Sequence, residues 1–138
     1  MKRILIIDNS RGVTGALKAI VNSIRPLKKT HKFIFLLPLH GHASIYLQEL
    51  GFDYFTLNMR EISRSISNNF LYLPTLLLQS IVLTQFIKKN RINIVHSNNY
   101  YNLLGYLASS YLSIPHVVHV RSLPTSHPWI FSRLWIEL

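Results

Sequence analysis

His119-Val120-Arg121 is where the sequence most directly offers groups that do chemistry. In an extended chain alternate residues share a side, so His119 and Arg121 face one way and Val120 the other. An arginine in this position can grip a phosphate or carboxylate with its forked guanidinium, and a neighbouring histidine can donate to a hydroxyl or exchange a proton. The structural alternative is that Arg121 neutralises Asp8 or satisfies buried carbonyl groups. A second polar cluster, His96-Ser97-Asn98-Asn99, directly follows an apolar run and supplies the paired donors and acceptors that sugar hydroxyls need. Equally, Ser97 or Asn98 caps the helix that follows. A third stretch runs Asp8-Asn9-Ser10-Arg11-Gly12-Val13-Thr14-Gly15. Gly12 and Gly15 would let the backbone turn tightly and approach a ligand at a helix N-terminus, or would simply shape a strand-to-helix turn.

Other chemistries are excluded or disfavoured by residue type. Neither glycine-rich dinucleotide nor P-loop spacing is present. His40 and His42 flank Gly41, but no third ligand is spaced near them and the chain has no cysteine, so no metal site or other cofactor is expected. The acids are Asp8, Glu49, Asp53, Glu61 and Glu137, without a paired-carboxylate spacing, which argues against a carboxylate-based hydrolase. Asp53 precedes its strand, which argues against a receiver domain.

The elements that must position these groups are short and apolar. Ile4 to Ile7, Phe33 to Leu37, Ile92 to Val95 and Val117 to Val120 are short apolar runs, with Tyr54 to Leu57 a weaker fifth. Runs without alternation suit parallel strands covered on both faces. Between them, Val13 to Lys29 has helical spacing, with Pro26 stopping the regular helix near Ile24. Ala43 to Leu50 closes on Gly51 as a left-handed cap, and Asn102 to Leu112 stops before Pro115. Phe70 to Ile87 reads as a broad-faced helix buried on the sheet, with a narrow polar stripe through Thr75, Gln79, Ser80 and Thr84. Lying on a bilayer or spanning it are its alternatives. Asn58 to Asn69 is polar and reads as a loop at the rim of a site. Strands and helices alternating in this way predict a doubly wound, Rossmann-like parallel α/β sheet of about five strands. Ligands bind such sheets beyond the carboxyl ends of the strands, where the three polar clusters fall.

The chain has 138 residues, enough for one domain with a real core, and 49% of them are hydrophobic against 14% charged. Fifteen Lys and Arg against five Asp and Glu give a formal charge of +10. Such a field attracts anionic surfaces. The basic residues are scattered instead of interleaved with aromatics, so nucleic acid is not an expected partner. A solvated basic surface and an anionic membrane are the two remaining readings. Asp8 interrupts the first apolar run too early for a signal peptide, which makes a cytoplasmic location the expectation, peripheral on the inner membrane face if the basic surface seats there.

Taken in order, the Gly12/Gly15 loop, Ile94-Val95-His96-Ser97-Asn98, the small residues Gly105 and Ala108, Ile114-Pro115 and Val117-Val118-His119-Val120-Arg121 resemble the N-terminal, acceptor-side domain of GT-B glycosyltransferases of family 4. The resemblance spans nearly the whole chain. Where that family often has adjacent glycines and a Glu, this chain has Gly12 and Gly15 and no such Glu; where many members have His, it has Arg121. The resemblance implies one half of a GT-B architecture, with residues 1–124 the Rossmann-like domain and 125–138 a truncated linker or helix leading to a missing C-terminal domain. It implies a retaining transferase that moves a sugar from a nucleotide-sugar, held mostly by that missing domain, to a lipid-linked or polysaccharide-precursor acceptor, and that is inactive alone. His119 and Arg121 would be catalytic; Gly12, Gly15, His96, Ser97, Asn98 and Asn99 would bind substrate. Two other functions fit the same residues: a non-catalytic, membrane-associated subunit that recruits a separate transferase, and an independent small-ligand-binding α/β domain.

Overall fold

The computed structural model describes residues 1–59, 71–99 and 102–121. The expected rim loop from Asn58 to Asn69 falls mostly outside these residues, and the expected helix at 125–138 lies wholly outside them.

The elements are β1 (Lys2–Ile7), α1 (Gly15–Ile24), a tight 3-10 turn (Arg25–Lys29), β2 (His31–Leu37), α2 (His42–Glu49), β3 (Asp53–Thr56), α3 (Tyr72–Lys89), β4 (Ile94–Ser97), α4 (Leu104–Leu112) and β5 (His116–Val118). They form one five-stranded sheet in the order β3-β2-β1-β4-β5, with every pair parallel. This is the predicted doubly wound α/β fold, one Rossmann-like half-domain.

Period two explains why the inner stretches of β1 and β2 are apolar on both faces. Leu5, Ile7, Ile34, Leu36 and Val95 face a core shared with α3 and α4. Ile6, Phe33, Phe35 and Leu37 face the opposite core with α1 and α2. Each fully buried side chain of this size contributes about 1.5–3 kcal/mol relative to exposure.

The helix ends follow their residues. Thr14 caps α1 by accepting the Leu17 N–H at 3.1 Å, and the helix gives way to the 3-10 turn at Arg25, directly before Pro26. After α2, Gly51 sits at φ +69°, the left-handed cap expected of it. Basic residues close other ends: Lys28 Nζ donates to the carbonyls of Leu50 and Gly51 at 2.9 Å, and Arg3 donates to the Asn90 carbonyl at 2.8 Å.

Two boundaries differ from expectation. β4 begins at Ile94 and runs through Ser97, because His96 and Ser97 stay in register with Ile6 and Ile7. His96 and Ser97 are therefore strand residues, not the loop after the strand. β5 begins at His116 and ends at Val118, the last residue with a β4 partner, so His119 to Arg121 lie just past it. α3 is buried on one side only. Tyr72, Leu76, Leu83, Thr84 and Ile87 pack inward, whereas Leu73, Leu77, Leu78, Ile81 and Val82 are exposed. Thr84, a member of the narrow polar stripe, is among the buried residues.

Candidate functional site

The strand order reverses between β1 and β4, which opens a crevice at their carboxyl ends. Asp8 follows β1 and Asn98 follows β4. Each is held by one further ladder bond, Asp8 N–H to the Leu36 carbonyl at 3.0 Å and Asn98 N–H to the Ile7 carbonyl at 2.8 Å. Both are buried, at 3% and 2% exposure, so their polar atoms must be paired within the protein. One carboxylate oxygen of Asp8 accepts the Ser10 N–H at 2.7 Å, and the other accepts the Asn98 side-chain amide. The Asn98 Oδ1 in turn accepts Arg121 Nε at 2.9 Å. An acid, an amide and a guanidinium are thus joined in line across the crevice. Arg121 does answer Asp8, but through Asn98 and not by direct contact.

Beside this line lies a cavity of about 330 Å³ whose walls include Asn9, Arg11, Thr14 and Asn99. The Oδ1 atom of Asn99 is buried with no partner among the described residues. Ser10 Oγ and Thr14 Oγ1 lie 2.9 Å apart on the same wall. Asn102 bridges the two loops, donating to Asn9 Oδ1 at 2.8 Å while its own Oδ1 accepts the Leu104 N–H at 3.0 Å. Neither Ser97 nor Asn98 caps the helix that follows, whose N-cap is Leu103; Asn102, one residue earlier, meets the first helical N–H. Gly12 stands in the β1–α1 loop and Gly15 opens α1, both next to these wall residues in the chain. A Cβ on either would meet nothing within 4 Å, and neither has a positive φ. The space beside them is open, and the turn itself does not require glycine.

His96, His119 and Arg121 share one face of the sheet. The rings of His96 and His119 stack with centroids 6.1 Å apart, and an Arg121 terminal nitrogen lies 3.4 Å from His119 Nδ1. Burial, followed by the charges of His119, Arg121 and His116, pushes the His96 pKa down to about 4. At neutral pH the ring is uncharged, and its Nε2 is buried without a partner among the described residues.

Ser97 departs from its expected role. The alternation that brings His119 beside Arg121 turns Ser97 to the other face, where it is 1% exposed and pairs with His116 Nε2 at 2.9 Å. Burial also lowers the His116 pKa. Ser97 thus fastens β4 to β5 and does not line the crevice. Sequence reasoning missed Asn102 and His116, which sit in no motif. Asp8 was legible as the first charge after a buried strand. Among the described residues no group of three side chains could hold a metal ion.

In sequence, no protein-family model and no curated protein matches the chain. In structure, the chain is similar to MurG of Acinetobacter baumannii, with a TM-score of 0.68, 16% identity, and coverage of 96% of this chain and 39% of that one. It is also similar to Alr3699/HepE of Anabaena in complex with UDP and glucose, with a TM-score of 0.70 and 17% identity over 99% of this chain and 35% of that one. A UDP-N-acetylglucosamine 2-epimerase matches at 0.62 and 15% identity over 97% of this chain and 39% of the epimerase. The chain thus spans between 35% and 39% of the length of these proteins. The likeness is one of fold: the five-stranded parallel half-domain of the GT-B architecture.

Proposed function

We propose that this domain is the acceptor-side half of a retaining, two-lobed sugar transferase resembling family 4. The sugar comes from a nucleotide-sugar held mostly by a second lobe, and the acceptor is lipid-linked or a polysaccharide precursor. The observation that carries the proposal is the Asp8–Asn98–Arg121 line beside an open cavity at the switch point of the sheet. The bond that Arg121 donates to Asn98 orients the guanidinium, and its terminal nitrogens, one of them 3.4 Å from His119 Nδ1, would meet negative charge developing across the cleft. His119 at the same edge would donate to, or take a proton from, a bound hydroxyl. The unpaired Oδ1 of Asn99, with Asn9 and Thr14, would meet sugar hydroxyls, and the open space beside Gly12 and Gly15 would admit the transferred sugar and its phosphate. Neutral His96 would line the cleft as an uncharged wall.

The test is an NMR titration of the chain with UDP-glucose and with a free oligosaccharide, alongside a turnover assay with labelled UDP-glucose. Shifts confined to Asn9, Asn99 and Arg121, with no turnover, are expected. Enzyme-like hydrolysis or transfer by this chain alone would overturn the half-site reading. The likeness to an epimerase favours one second reading, an independent nucleotide-binding domain. Tight binding of free UDP with no response to sugar would select it.

A further inference from the structure

Asn102 ties the start of α4 to two segments far away in sequence. Its Oδ1 accepts the Leu104 N–H at 3.0 Å, while its Nδ2 donates to Asn9 Oδ1 at 2.8 Å and lies 3.3 Å from Met59 Sδ. These contacts leave the amide one orientation. A backbone N–H can only donate, so the atom of Asn102 that meets Leu104 is its oxygen. The nitrogen therefore faces Asn9 and the Met59 sulfur, both of which accept. The constraint passes one residue further. An amide that receives a donor presents its oxygen there, so the Asn9 oxygen is turned to Asn102 and its Nδ2 away from it. Asn9 belongs to the wall of the cavity of about 330 Å³, and its Nδ2 bonds to none of the described residues.

The same wall carries Asn99, whose Oδ1 is buried and unpaired among the described residues. The cavity thus offers a neutral donor at Asn9 and a neutral acceptor at Asn99. A hydroxyl-bearing ring answers both, because one hydroxyl oxygen accepts a bond while another hydroxyl hydrogen donates one. An ionised carboxylate or phosphate oxygen has no proton to give Asn99. We infer that Asn102 is the positioning residue that sets the specificity of this site. By holding the Asn9 oxygen it keeps Asn9 a hydrogen-bond donor to the cavity, which then selects a ring hydroxyl that accepts there. Asn102 acts through Asn9 and touches no ligand itself. The inference rests on the reading of the cavity as a sugar site, and a glycosyl ring and a nucleotide's ribose share the chemistry it names.

The variant that tests it is Asn102→Asp. One aspartate oxygen still accepts the Leu104 N–H at the start of α4, where negative charge is favoured, so the melting temperature should hold. The other oxygen can only accept from Asn9, which turns the Asn9 amide over and presents an acceptor to the cavity. In the unaltered chain without ligand, NMR should detect a scalar coupling across the hydrogen bond from Asn102 Nδ2 to the Asn9 side-chain carbonyl carbon. In Asn102→Asp the coupling should start from Asn9 Nδ2 instead. Titration with UDP-glucose should then show affinity reduced roughly five- to tenfold. Asn9→Ala should weaken it as much, and adding Asn102→Asp to that change should remove nothing more. A loss for UDP-glucose but not for free UDP assigns the hydroxyls to the glycosyl ring, and an equal loss for free UDP assigns them to ribose. Four results would overturn the inference: no coupling in the unaltered chain, unchanged affinity in Asn102→Asp, a loss that comes with a lowered melting temperature, or a further loss on the Asn9→Ala background. Each would leave the sugar reading standing. No binding of either probe by the unaltered chain would end that reading and this inference together.

Discussion

At the scale of single residues, Asn98 is the position on which the crevice turns. Among the described residues its amide is the one group that bonds to both Asp8 and Arg121, and at 2% exposure no solvent replaces it. Asn98→Ala should therefore lower stability by roughly 1–3 kcal/mol, the cost of leaving a buried acceptor short of a donor. Urea unfolding would read this, and NMR would show the Arg121 Nε–H losing its protected position. His96 gives a second prediction. Its pKa in the folded chain is about 4, against an ordinary 6.5, so between these values the unfolded chain takes up a proton that the folded chain refuses. Stability should be fully present above pH 6.5 and should fall as the pH drops towards 4, with His116 acting in the same direction. His96→Gln should flatten that slope in unfolding curves taken across the range.

At the scale of elements, α4 approaches β4 and β5 only because residue 105 has no side chain. A Cβ there would lie 2.9 Å from Ile7 Cδ1 and 3.0 Å from His116 Nε2, and would collide with Ser97 Oγ. Gly105→Ala should cost about 1–3 kcal/mol by overpacking, measured by thermal or urea unfolding. Adding Ser97→Ala should return part of that loss, because it removes one of the colliding atoms. The strand ends were less legible than the strands themselves. Hydrophobicity marks what is buried, whereas β4 ends where its pairing with β1 ends, and His96 and Ser97 are polar residues within that pairing. α3 is the contrasting case. Its apolar residues run round most of the helix beside one narrow polar stripe, so periodicity could not say which side would meet the sheet.

At the scale of the whole molecule, one sheet separates two apolar cores, and β1, β2 and β3 contribute side chains to both. The domain should unfold as one cooperative unit. Leu17→Ala in one core and Leu83→Ala in the other should each lower the same single transition, by about 2–5 kcal/mol. Far- and near-ultraviolet circular dichroism would check that the two signals still coincide. Some of the basic charge has structural uses at this scale, in closing helix ends through Arg3 and Lys28 and in the exposed Lys32–Asp53 pair at 2.8 Å. The remainder gives the surface its sign. What the sequence by itself determined was the parallel α/β architecture, because short apolar runs spaced by helices have few other ways to bury both faces. It also determined that polar groups gather after the strands, with Gly51 as a cap and Pro26 as a stop. Only the tertiary structure decided that Asn98 joins Asp8 to Arg121, that Ser97 turns away to His116, and that Leu73, Leu77 and Leu78 of α3 face outward while Leu76 and Leu83 face in. Those outcomes depend on register and on which faces meet across distant segments, and no local pattern of residue types encodes either.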